Sequence, residues 1–137
     1  MKTYAKDVMS TELLCIREGT TIGEALKMLM DHRITGMPVV DDDGKMVGVV
    51  SEFDIISQLS PHLTSSNDMK SELFRAPVQF SRKVKSVKES TSLSAVVKRF
   101  VNKSYRRLPV VDDHGRLVGM ITRRDLMRVF YYRAKLS

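Results

Sequence analysis

The chain has 137 residues, 42% of them hydrophobic and 28% charged, with a formal net charge of +7. A chain of this size and composition buries roughly two-thirds of the surface it would expose unfolded, enough for one compact module with a real core. No apolar run approaches the roughly 18 residues that a membrane span needs, which excludes a helical membrane protein and, with the polar opening Met1-Lys2-Thr3-Tyr4-Ala5-Lys6-Asp7, predicts a cytoplasmic one.

The charge is unevenly placed. Residues 1–68 hold 6 Lys+Arg against 11 Asp+Glu and residues 69–137 hold 17 against 5, so a net −5 is followed by a net +12. One reading is an anionic partner near the second half, such as a phosphate ligand, nucleic acid or an acidic protein; the other is mutual attraction of the two halves. Cys15 is the only cysteine, so no internal disulfide forms, and its apolar neighbours predict a buried strand residue rather than a nucleophile.

In chain order, a polar lead-in with Val8 and Met9 as its apolar contacts precedes a predicted strand at Leu13 to Ile16, which Glu18-Gly19-Thr20 ends. Thr21-Ile22-Gly23-Glu24 has capping-box spacing and opens a helix whose stripe is Ile22, Ala25, Leu26, Leu29 and Met30; the helix stops near His32-Arg33. Two apolar runs follow, entered through Pro38 and joined by the acidic turn Asp41-Asp42-Asp43-Gly44, then Ser51-x-x-Asp54 starts a second helix. Ser60-Pro61 ends that helix, Thr64 to Asp68 reads as an exposed connector, and a helical turn follows around Met69 to Phe74.

The order then repeats at an offset of 71 residues, from Pro38 to Pro109. Val84 to Val87 is the strand, Leu93, Val96, Val97, Phe100 and Val101 form the stripe, Asp112-Asp113-His114-Gly115 is the turn, and Thr122-x-x-Asp125 opens the last helix. In that helix Leu126, Val129 and Phe130 are assigned to the core, while Met127 and Tyr131 lie on another face. The protein is a duplication: repeat 1 over 1–60, a connector over 61–76 and repeat 2 over 77–137, together one module. The later strands are too continuously apolar for a sheet wet on one face, so each sheet is expected to be covered on both.

Ser51-x-x-Asp54 and Thr122-x-x-Asp125 admit two readings that do not exclude each other. Hydroxyl and carboxylate can close a capping box. The same groups at a helix N-terminus also suit a nucleotide, the dipole and hydroxyl favouring phosphate and the aspartate accepting from ribose hydroxyls. Other constellations fail. An EF-hand would need an aspartate where Val39 stands, His32, His62 and His114 lack metal-ligand spacing, and there is neither a Gly-rich phosphate loop nor a Ser-His-Asp pattern. Gly44-x-x-x-Gly48 and Gly115-x-x-x-Gly119 fall across turn and strand, as backbone fittings.

A unit of apolar helix, x-x-Pro-Val-Val-Asp, acidic Gly turn, Gly-bearing strand and Ser/Thr-x-x-Asp, present twice, resembles a cystathionine-β-synthase (CBS) domain pair, or Bateman module. Lys6-Asp7-Val8-Met9-Ser10 adds to the likeness; its second-copy counterpart, Pro77 to Ser81, lacks the Asp-x-Met pattern. The resemblance implies an α/β (α+β) fold of two pseudo-symmetric repeats, each a small mixed sheet with two main helices, packed sheet to sheet. It also implies a non-catalytic regulatory module that takes AMP, ADP, ATP or S-adenosylmethionine in clefts between the repeats. Carried over residue by residue, Asp54 and Asp125 match the ribose-binding aspartate, and Ser51 and Thr122 the hydroxyl facing ribose or phosphate. Gly36-Met37 and Arg107-Leu108 match the stretch lining the adenine pocket. Arg106 and Arg107 add cations absent from Thr35-Gly36, and Arg123 replaces Glu52, so the second motif is expected to take the more phosphorylated ligand.

Two function classes follow. The first is a ligand sensor read by a regulated partner protein, pairing as a homodimer in a four-repeat disc through a face that includes Met28, Met127 and Tyr131. The second is nucleic-acid binding by the basic second half, where Arg128-Val129-Phe130-Tyr131-Tyr132-Arg133 interleaves aromatic and basic residues. The acidic first half and the lack of a nucleic-acid-binding motif favour the sensor.

Overall fold

In the computed structural model, the described residues are 2–63 and 71–136, the last two of them for backbone alone. The connector expected at 64–68, and Met69 of the helical turn, lie outside these residues. The elements run α1 (Ala5–Val8), β1 (Ile16–Arg17), α2 (Ile22–Asp31), β2 (Gly36–Val40), β3 (Met46–Ser51), α3 (Glu52–Leu59), the 3₁₀ turns Ser60–His62 and Ser71–Arg75, β4 (Val87–Lys88), α4 (Leu93–Lys103), β5 (Arg107–Val111), β6 (Leu117–Thr122) and α5 (Arg123–Leu136). The class is mixed α/β, with two three-stranded sheets ordered β1-β2-β3 and β4-β5-β6. In each, the short first strand is parallel and the last antiparallel to the central strand.

The first strands are shorter and later than the apolar runs predict. Their pairing reaches only Val39-Val40 and Val110-Val111, which leaves Leu14 and Val84 exposed and Cys15 half-buried ahead of β1. The central strands are buried continuously from Met37 to Val40 and from Leu108 to Val111, as their unbroken apolar sequence requires. Each fully buried aliphatic side chain there contributes about 1.5–3 kcal/mol.

Residues Leu14–Val84 form one compact unit; Met1–Leu13 with Lys85–Ser137 form the other. These divisions differ from the repeats drawn on the sequence, because each lead-in packs with the sheet of the opposite copy. In the first unit Ser81 exchanges two backbone hydrogen bonds with Val49 (2.9 and 3.0 Å). In the second, Ser10 does the same with Met120 (2.8 and 2.9 Å). Close approach depends on glycine. A Cβ on Gly48 would stand 2.2 Å from the Ser81 carbonyl oxygen, and one on Gly119 2.3 Å from the Met9 sulfur. The spacing read as a backbone fitting is a docking seat for a crossing segment.

The hairpin turns are built by their first aspartate. Asp41 Oδ1 accepts from the N–H groups of Asp43 and Lys45, and Asp112 Oδ1 from those of His114 and Arg116, while Gly44 and Gly115 take the left-handed conformation (φ +81° and +80°). The Arg116 N–H holds the Asp112 carboxyl below its ordinary pKa. Among the described residues, no group of three acidic, histidine or cysteine side chains is placed to hold a metal.

Helices α2 and α4 begin alike, Thr21 Oγ1 accepting from Glu24 N–H (3.1 Å) and Ser92 Oγ from Ala95 N–H (3.2 Å). Their apolar stripes are narrower than predicted. Met30 is 68% exposed and Val101 72%, so the fifth position of each stripe faces outward. In α5, Leu126 and Val129 join the core as expected, but Phe130 is 51% exposed. Met28, a candidate for a dimer face, is half-buried against the core of its own unit.

The two glycine seats predict unequal costs. Gly48→Ala must push back a backbone carbonyl and is expected to lose about 2–3 kcal/mol, whereas Gly119→Ala meets a methionine side chain that can turn aside and loses about 1 kcal/mol. Urea unfolding of both variants checks the order.

Candidate functional site

The two Ser/Thr-x-x-Asp motifs sit where a strand runs directly into a helix. β3 ends at Ser51 and α3 begins at Glu52; β6 ends at Thr122 and α5 begins at Arg123. Both junctions form the predicted capping box. Ser51 N–H and the Ser51 hydroxyl donate to Asp54 Oδ2 (2.8 and 3.0 Å), while Asp54 N–H donates to Ser51 Oγ (3.2 Å). Thr122 and Asp125 repeat the arrangement at 2.8, 3.0 and 3.2 Å.

In each box only one carboxylate oxygen serves the cap. Asp54 Oδ1 has no hydrogen-bond partner among the described residues, so it can accept from a ligand hydroxyl while Oδ2 holds the helix start. Asp125 Oδ1 takes a 3.4 Å contact from Arg128 Nη1, whose side chain is 58% exposed and displaceable; the Asp125 side chain itself is 14% exposed. The capping and ligand readings are therefore chemically compatible within one carboxylate.

The remaining candidate residues fall beside these junctions. Gly36 pairs in register with Ser51, and Arg107 with Thr122, which brings the start of each central strand against its motif. Met37 and Leu108 are nearly fully buried in the cores of their units, so they can offer a ligand backbone rather than side chain. Arg106 is exposed, its guanidinium without a partner among the described residues; Arg107 is half-buried and hydrogen-bonded or otherwise engaged.

Arg123, expected to favour a phosphate, already has two donors engaged by the backbone. Its Nε donates to the Tyr105 carbonyl (2.8 Å) and its Nη2 to the Ser104 carbonyl (3.0 Å). Those carbonyls follow the end of α4, where Ser104 is left-handed (φ 54°), so Arg123 steadies the loop that carries Arg106. Its counterpart Glu52 keeps only the backbone part of this link, Glu52 N–H to the Thr35 carbonyl (2.9 Å).

A side chain that spacing did not single out also belongs here. Gln58 Nε2 donates to the carbonyls of Asp54 (2.8 Å) and Gln79 (2.9 Å), and its Oε1 accepts from Gln79 N–H (2.7 Å), tying α3 to the lead-in within the same unit. Its one sequence signal is a polar residue one turn after Asp54. Cys15 lies outside the site, and burial pushes its thiol above the ordinary pKa, as an inert structural thiol requires.

With this geometry in place, comparison with known proteins is specific. The CBS domain model matches residues 5–61 and 78–132, and the chain belongs to the CBS domain family as a tandem pair. The CBS domain-containing protein CBSX1, chloroplastic, of Arabidopsis thaliana is 36% identical over 138 residues, covering 85% of this chain and 58% of the relative. The chain thus spans under three-fifths of that relative's length. The crystal structure of CBSX2 in complex with AMP superposes with a TM-score of 0.76 at 28% identity, covering 96% of this chain and 98% of that one. The CBS domain pair of protein MJ0100, in complex with 5′-methylthioadenosine and S-adenosyl-L-methionine, gives 0.69 at 28% identity over 97% and 99%. CBS domain pairs are generally regulatory, non-catalytic modules. No helix among the described residues is long and apolar enough to cross a membrane.

The dual use of each aspartate separates stability from ligand contact. Asp54→Ala and Asp125→Ala remove the return bond to a part-buried N–H and are expected to cost about 1–2 kcal/mol each. Asp54→Asn and Asp125→Asn, whose amide oxygen can take over the cap, should lose less than half of that in the same urea titration.

Proposed function

We propose that this protein is a non-catalytic sensor that binds adenosine-containing ligands, AMP, ADP, ATP or S-adenosylmethionine, at the sites built on Ser51–Asp54 and Thr122–Asp125, and passes the ligand state to a partner protein. The observation that carries this reading is the carboxylate oxygen of Asp54 left unused by the cap, at a helix N-terminus whose dipole favours a phosphate. The same box at Asp125 supports a second site, and similar CBS pairs hold AMP or S-adenosylmethionine. Signalling requires that the ligand bind two states of the module with different affinity.

Within this reading Asp54 and Asp125 accept from ribose hydroxyls, Ser51 and Thr122 face ribose or phosphate, and the backbone of Gly36-Met37 and Arg107-Leu108 borders the base. Arg106 supplies the charge that favours extra phosphates at the second site, positioned by Arg123. The cytoplasmic setting expected from the sequence belongs to the proposal as well.

Calorimetric titration with AMP and ATP tests it. Asp54→Asn and Asp125→Asn should each weaken binding at their own site at least tenfold with little change in melting temperature. Arg106→Ala should weaken ATP more than AMP. Unchanged affinities in all three variants would sink the reading. A steep salt dependence of RNA or DNA binding, with no saturable nucleotide binding, would favour the nucleic-acid alternative.

The protein is further expected to form a homodimer. Met30 with Ile56 and Val101 with Met127 are exposed apolar pairs at matching positions in the two units, and Tyr131 is exposed beyond them. Light scattering should give twice the chain mass at micromolar concentration, and Ile56→Asp combined with Met127→Asp should give the monomer mass.

A further inference from the structure

The two units carry the same pair of helices, but the exposed faces of those pairs are not alike. In the unit of residues 14–84, α2 and α3 enclose a groove of about 400 Å³ whose lining includes Leu26, Met30, Ile34, Ile56 and Glu52. Met30 and Ile56 are largely exposed along it, and so is Phe53, the residue after Glu52. In the other unit the matching helices are α4 and α5. There Arg123 replaces Glu52, and its guanidinium donates to the Ser104 and Tyr105 carbonyls beyond α4, bridging from one helix to the loop after the other. Met127, in the place of Ile56, is exposed with Arg124 one turn before it and Tyr131 one turn after. One unit offers a recess; the other offers an apolar ridge among cations.

Charge follows the same division. Helices α2 and α3 hold four carboxylates and one cation, net −3, whereas α4 and α5 hold eight cations and one carboxylate, net +7. Among the described residues the ion pairs on these helices are Lys27 with Asp31 and Arg128 with Asp125, so Glu52 and Arg124 are both left without a charged partner.

We infer that two copies of this chain pair head to tail, the α2–α3 face of each covered by the α4–α5 face of the other. The inference rests on the homodimer expected above and fixes which surface meets which. Two-fold symmetry forms the contact twice, once with each copy supplying the recess. Met127 of one copy fills the other's groove beside Met30 and Ile56, as a helix edge fills an apolar groove. Arg124 then approaches Glu52 and Phe53, a carboxylate and a ring face that both attract a guanidinium. Head-to-head pairing is the alternative. It sets recess against recess and brings Arg124 and Arg128 against their own copies, opposing like charges in both contacts. Apolar residues are exposed on both faces, so charge decides the orientation.

Crosslinking of the full chain tests the orientation. In a Cys15→Ala background, one variant carries Ile56→Cys and another Met127→Cys, and the two are mixed, allowed to exchange and mildly oxidised. The mixture should give a disulfide between positions 56 and 127, read by mass spectrometry after proteolysis, while each variant alone stays uncrosslinked. A dimer without that crosslink, or one in which either variant links to itself, overturns the inference and leaves the homodimer standing. A monomer at high micromolar concentration removes both. Charge reversal gives a second reading by analytical ultracentrifugation. Glu52→Arg and Arg124→Glu should each weaken the dimer at least tenfold, and the two together should bring it back to within about threefold of the parent. Two weakened single variants with no recovery in the double variant would also overturn the pairing.

Discussion

In each unit a distant segment of the chain closes the edge of the sheet through a two-bond bridge: Ser81 on Val49 and Ser10 on Met120. A three-stranded sheet with a short parallel first strand exposes the far edge of its antiparallel strand, and an unpaired edge is costly to leave beside an apolar face. The lead-ins close that edge. Gly48 and Gly119 ease that approach by placing no side chain in the path, Gly48 facing the Ser81 carbonyl and Gly119 the Met9 side chain. In the Leu14–Val84 unit Gln58 reinforces the crossing by bonding both backbone groups of Gln79; the matching position on α5 is Val129, which packs apolarly instead.

The site depends on that architecture through strands that run into helices without a loop. A hydroxyl residue ending a strand is already extended, as an N-cap must be, and the aspartate three residues on returns to cap it. Because a carboxylate has two oxygens and the cap uses one, structure and ligand contact can share a residue. This explains why spacing alone could not choose between the capping and nucleotide readings: both are chemically available at once.

The copies also diverge in charge around the two motifs. Core positions keep their character at the 71-residue offset, as Met37 and Leu108 or Val50 and Ile121 do. Around the two motifs Thr35-Gly36 becomes Arg106-Arg107 and Glu52 becomes Arg123, which adds positive charge beside the second. Part of that charge is structural, since Arg123 spends two donors on carbonyls left at the end of α4. A guanidinium's place in sequence shows its charge but not what it is already bonded to.

The duplication, the element order, the acidic Gly turns, the Ser51–Asp54 and Thr122–Asp125 capping boxes and the family were legible in the sequence, because each follows from local periodicity, turn chemistry or the 71-residue repeat, whereas at Thr21 only the hydroxyl half of the expected box forms. Tertiary structure decided what local rules cannot reach. It shortened the first strands to the residues that find a partner in Val39-Val40 and Val110-Val111, turned Met30, Val101 and Phe130 outward, and drew Met28 inward. It also exchanged the lead-ins between the copies. The physical reason is common to all of these: a hydrogen-bond partner or a covering side chain supplied from elsewhere in the chain determines the outcome, and that partner is not written in the neighbouring residues.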